Sequence, residues 1–165
     1  MKILISTYPV SDPSHPHFFA PAHAAEIRRA AGPGSTLSVC TDPYQAAEAA
    51  ADADVIAAFP FSMPPFWRAK KLKWLHAFSA GVDRVLTPET RRMPILISNS
   101  SGIHATPIAE HLIGFMLMFT RGFHKTFANQ LRHVWQRDET ISELGGKTVL
   151  IAGLGDIGME TARLA

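Results

Sequence analysis

The sequence predicts an α/β fold: a parallel sheet with helices on both faces, followed by the opening of a second α/β unit. Three observations carry this. Short β-branched runs alternate with helical segments through the first hundred residues. A long helix with an apolar stripe follows. A glycine-rich turn then joins an apolar run to a final helical stretch.

The elements follow in order. "KILIS" (2–6) is a buried strand closed by Pro9, and "HAAEIRRAA" (23–31) is a helix ended by Gly32-Pro33-Gly34. "TLSVC" (36–40) alternates as a strand does. Asp42 has the chemistry of an N-cap and Pro43 that of a first helical residue, opening "YQAAEAAADA" (44–53). "DVIAAF" (54–59) is a third strand, "MPPFW" (63–67) a Pro-rich turn, "LKWLHAFS" (72–79) a fourth strand and "PILISNS" (94–100) a fifth. Thr106-Pro107 supplies a cap and a first-turn Pro for a helix running to about Arg132, with Glu110 near the positive end of its dipole. The third residue after Thr106 is Ala109, so no capping box forms. Ile108, Leu112, Phe115, Met116, Phe119 and Phe123 recur at helical spacing, a stripe that reads as core or interface. A loop spans "RDETISELGGK" (137–147), and "KTVLIAG" (147–153) is a sixth strand.

Composition narrows the classes. Of 165 residues, 47% are apolar and 18% charged, which suits a soluble globular chain rather than a disordered one. The net charge of +2 selects no partner, and no Lys/Arg block is long enough to track phosphates. The densest, "RAKKLK" (68–73), reads as a solvated loop and strand entry, so no nucleic-acid partner is expected. Cys40 is the sole cysteine, which excludes an internal disulfide and fits a reducing compartment; it reads as a small buried apolar residue. "MKILISTYPV" is a strand rather than a secretory signal, and "LIGFMLMF" (112–119) is too short to span a bilayer. No membrane partner and a cytoplasmic location are expected.

Gly153-Leu154-Gly155-Asp156-Ile157-Gly158 is a G-x-G-x-x-G placed between an apolar strand core, Val149 to Ala152, and the helical "METARLA". That context is the one a dinucleotide-binding fingerprint requires. Gly153 permits the tight turn, Gly155 lets a pyrophosphate approach the backbone, and Gly158 lets helix and strand pack closely. Amides at the helix start point at the phosphates. The bland alternative is a strand-to-helix turn with no ligand. The acidic residue that reads the ribose belongs about 20 residues further on, which leaves NAD and NADP undistinguished.

A second constellation, "WLHAFSAGVDRVL" (74–86), sets Ser-Ala-Gly-Val-Asp straight after a strand. The amides of Ala80, Gly81 and Val82 suit an anion; the competing reading is a strand-ending turn with Asp83 capping a short helix. His76, inside a strand, reads as a satisfied core histidine.

"FSAGVD", "SNSSGIHATPIAEHLIGFML" and "ELGGKTVLIAGLGDIGMETARLA" together resemble the D-isomer-specific 2-hydroxyacid dehydrogenases, in that family's motif order and spacing. The resemblance is carried from about residue 72 onward; residues 1–70 share the strand–helix rhythm. It implies a flavodoxin-like substrate domain over 1–101. Residues 102–165 are then a crossing helix with the first strand and glycine loop of a Rossmann NAD(P)-binding domain. It implies NAD or NADP as cofactor, a small 2-keto or 2-hydroxy acid as substrate, and a homodimer for the full-length protein. By the same resemblance Ala80, Gly81 and Val82 hold the substrate carboxylate, and Gly153, Gly155, Asp156, Ile157 and Gly158 form the cofactor loop. Ala80 replaces a Ser or Thr that touches the cofactor in some members, and His104 stands where many have Asn. His104 and His111 belong to the helix-entry motif and read as structural or solvent-facing. The family's catalytic Arg, Glu and His are expected beyond residue 165, so the chain reads as the front part of a longer enzyme, inactive alone. The alternative is a non-enzymatic binding or regulatory module that associates through the 106–132 helix.

Overall fold

Strand formation in the first hundred residues follows burial. The computed structural model describes residues 1–165 apart from residues 11, 16–17, 61–62 and 138–139. It divides into two units, Met1–Ser101 and Gly102–Ala165.

The first unit holds β1 (Lys2–Ser6), α1 (Pro21–Ala31), β2 (Thr36–Cys40), α2 (Pro43–Ala50), β3 (Val55–Ala58), β4 (Trp74–Ala77) and β5 (Leu96–Asn99). All pairings are parallel, in the order β2-β1-β3-β4-β5. This is the flavodoxin-like doubly wound order, as expected. Side-chain alternation assigns the faces. Ile3, Ile5, Val55 and Ala57 pack with Ile27 and Ala31 of α1. Leu4, Ile56 and Leu75 pack with Ala46 and Ala50 of α2. All four residues of β3, the central strand, are buried, and a strand covered on both faces needs a continuous apolar run. The α2 start is as expected: Asp42 accepts hydrogen bonds from the amides of Tyr44 (3.0 Å) and Gln45 (2.9 Å). Cys40 is buried as expected, and burial pushes its thiol pKa up.

The second unit holds α3 (Ala105–Thr120), α4 (Phe123–Leu131) and α5 (Asp156–Leu164), and three expectations change here. The long helix is two helices, because Gly122 adopts a left-handed conformation (φ 68°) that ends one and starts the next. The cap is His104 rather than Thr106, which is the second helical residue. Residues 147–153 run as unpaired backbone rather than a sixth strand. A strand exists by pairing, and no described residue of this unit supplies a partner; Leu150 is 92% exposed. The apolar stripe is not core: Ile108, Leu112, Phe115, Phe119 and Phe123 are exposed. The expected loop keeps its place, with residues 138–139 outside the described set. Among the described residues no helix is long and apolar enough to cross a membrane.

Candidate functional site

Two backbone segments present amides or open space that a ligand could use. The first follows β4. The carbonyls of residues 79–82 are all engaged: Ser79's accepts from the Ser100 amide (3.1 Å), Ala80's from Asn99 Nδ2 (2.5 Å), Gly81's from Ser79 Oγ (2.6 Å), and Val82's from the Val85 and Leu86 amides (2.8 Å each). The amides of Ala80, Gly81 and Val82 donate to no described residue. With every carbonyl turned to the protein and three successive N–H groups left over, the loop is polarised toward an anion. The turn is anchored by Val85, which is fully buried. No helix starts at Asp83, contrary to the capping alternative. Asp83 instead lies beside Gly81, its Oδ2 3.5 Å from where a Cβ on Gly81 would stand. Asn99 was not singled out from sequence; a strand-end Asn beside the loop is the signal that marks it.

The second segment is the glycine turn. Gly153 has φ +104°, a conformation side chains rarely adopt. Gly158 faces a different constraint: a Cβ there would lie 2.0 Å from the Gly153 carbonyl oxygen and 3.3 Å from Ile151 Cγ2. Gly155, the N-cap of α5, has φ −77° and open space where its Cβ would be. Neither conformation nor packing requires glycine at 155, so the room above it suits a ligand that approaches the backbone. The amides of Asp156, Ile157 and Gly158 open α5 and have no intrahelical acceptor. The Asp156 side chain is turned toward Gly102 (3.4 Å from its would-be Cβ). Behind the turn, α5 packs on α3 through buried Ala109 and Thr161, and the Thr161 hydroxyl donates to the Ile157 carbonyl (2.7 Å). Glu160 takes a bidentate pair from Arg163 (2.6 and 2.8 Å).

The histidines fall as expected. His76 is half-buried, with Nδ1 2.9 Å from Ser98 Oγ and Nε2 3.3 Å from Ser100 Oγ, and burial lowers its pKa. His104 and His111 are exposed, and His111 stacks edge-on against Phe115 at 4.4 Å.

A doubly wound sheet, then a second unit that carries this glycine turn, defines an α/β protein of the dinucleotide-binding type. Residues 113–165 match the family model "D-isomer specific 2-hydroxyacid dehydrogenase, NAD binding domain". A glyoxylate reductase of Thermofilum pendens is 31% identical over 102 residues, covering 58% of this chain and 30% of that protein. A D-3-phosphoglycerate dehydrogenase of Mycobacterium leprae is 31% identical over 149 residues, covering 85% of this chain and 26% of that protein. A solved structure, a D-isomer specific 2-hydroxyacid dehydrogenase family protein from Aeromonas salmonicida, superposes with a TM-score of 0.78 at 25% identity, over 99% of this chain and 49% of that one. The chain thus belongs to the D-isomer-specific 2-hydroxyacid dehydrogenase family, whose members are NAD-dependent oxidoreductases. It spans under a third of these curated relatives and about half of the solved chain.

Proposed function

We propose that the chain supplies the substrate domain (1–101) and the start of the cofactor domain (102–165) of an NAD(P)-dependent oxidoreductase interconverting 2-keto acids and D-2-hydroxy acids. The amides of Ala80, Gly81 and Val82 hold the substrate carboxylate. Gly153, Gly155 and Gly158 shape the phosphate cradle, and the amides of Asp156, Ile157 and Gly158 donate into it. The nicotinamide supplies or accepts the hydride at the substrate's C2. No residue of this chain is assigned the proton transfer, since both nitrogens of His76 are held by serines. Accordingly the 165 residues alone are expected to show no turnover of glyoxylate, hydroxypyruvate or pyruvate with NADH or NADPH in a sensitive absorbance assay. Enzyme-dependent oxidation of either cofactor contradicts that assignment.

The observation that carries the reading is Gly155, a glycine that neither its backbone conformation nor any described neighbour requires. Gly155→Ser tests it, because serine is a good N-cap while its side chain fills the cradle. The unfolding midpoint should hold or rise, and NADH affinity, read by fluorescence titration, should fall at least tenfold. Unchanged affinity contradicts the proposal.

A second reading draws on the exposed apolar residues of α3 and α4, which suit an association surface. In the full-length protein this is where a homodimer would form; in a stand-alone module it is where a partner would bind.

A further inference from the structure

The first unit carries a cavity of about 340 Å³ that the carboxylate reading leaves unused. Its lining includes Thr7, Phe59 and Phe78, each one residue beyond the end of β1, β3 or β4, together with Phe19 and the α1 residues His23 and Ile27. The strand order reverses between β1 and β3. Connections leave that point on opposite faces of the sheet, and the crevice so opened is where doubly wound sheets take ligands.

The chemistry of the lining is specific. Thr7 is 3% exposed, and its hydroxyl has no hydrogen-bond partner among the described residues. A buried orphan hydroxyl is costly unless something outside the chain completes it. Around it the walls are aromatic: the rings of Phe59 and Phe78 lie 5.2 Å apart, and Phe19 meets His23 edge-on at 5.5 Å. The amide of Ala20 donates to His23 Nδ1 (3.2 Å), which makes Nε2 the nitrogen that carries a proton. Glu26 also lines the cavity, and no Lys or Arg does among the described residues, which disfavours a second anionic group such as a phosphate.

We propose that this cavity is the side-chain site of the acid substrate and takes an aryl ring bearing a hydroxyl, so that the substrate class is a hydroxyaryl-substituted 2-keto or 2-hydroxy acid. The inference rests on the reading of residues 80–82 as the carboxylate loop. Phe78 lies two residues before Ala80, and Thr7 lies two strands across from β4, about 10 Å away at ordinary strand spacing. A ring with a para hydroxyl extends in that direction from a carboxylate held at the loop; the methyl group of lactate does not.

The test uses the whole chain with three stable ligands, D-4-hydroxyphenyllactate, D-phenyllactate and D-lactate, measured by titration and by ligand-observed saturation-transfer NMR. The hydroxyaryl acid should bind at least tenfold tighter than lactate, with its ring protons most strongly saturated. Thr7→Val should abolish the preference for the hydroxyl, reducing its advantage over phenyllactate from about tenfold to none, while the unfolding midpoint holds or rises. Equal affinity for lactate overturns the proposal, as does a hydroxyl preference that survives Thr7→Val. Gly81→Val separates the two readings. Weakened binding of all three acids supports the carboxylate loop whatever the ring result. Ring-dependent binding that ignores Gly81→Val overturns the loop and, with it, this cavity as the acid's side-chain site.

Discussion

Gly158 ties the sequence motif to a physical demand. Its would-be Cβ lies 2.0 Å from a backbone oxygen, and a backbone atom cannot step aside as a side chain can. Gly158→Ala should therefore cost about 2–3 kcal/mol and undock α5, read as a loss of helical signal and a lower urea midpoint; wild-type stability contradicts the packing described. The three glycines were visible in the sequence, but their separate reasons were not: Gly153 answers to conformation, Gly158 to packing, and Gly155 to neither, its Cβ position being open. His76 supplies a pH dependence. Burial lowers its pKa in the folded state, so the unfolded chain binds a proton first. The stabilising preference for neutral imidazole is fully present above the ordinary value near 6.5 and is lost as pH falls through the lower folded value. Urea midpoints followed from pH 8 downward should decline below 6.5, and His76→Gln should flatten that decline; an unchanged slope removes His76 as its source.

At the scale of elements, the α2 cap and the α3–α4 break are the points where single residues decide structure. Asp42→Ala leaves two helix-start amides unmet and should cost about 1 kcal/mol. Gly122→Ala forces a side chain into the left-handed region and should cost about 1–2 kcal/mol. Both are measured by denaturant unfolding, and a neutral outcome at either contradicts the local geometry. The strands of the first unit were legible because burial on both faces writes itself as continuous apolar runs, with Val55–Ala58 the clearest. The break at Gly122 was not, since a glycine inside a helical pattern can be tolerated as well as end the helix. The run at 147–153 misled for a related reason: its residues favour a strand, but pairing is a property of neighbours.

At the scale of the whole molecule, the second unit leaves large apolar side chains in water, including Phe119 (67% exposed), Phe127 (61%) and Leu131 (69%). Self-association rising with concentration is expected in sedimentation velocity, and Phe119→Ser with Phe127→Ser should shift the distribution to monomer. A monomeric wild type at all concentrations contradicts this. Of the candidate site, the loop at 80–82 was legible as small residues after a strand. The capture of the Ala80 carbonyl by Asn99 was not, because β5 meets β4 only in the fold. The aromatic crevice at Thr7 was equally hidden, assembled from three strand ends far apart in sequence.

We propose that residues 153–158 form a phosphate cradle for a nicotinamide dinucleotide. The most direct measurement is the amide spectrum of ¹⁵N-labelled chain titrated with NADH. Saturable shifts are expected at Gly155, Asp156, Ile157 and Gly158. Shifts confined to other residues, or no saturable shift at those four amides, contradict it.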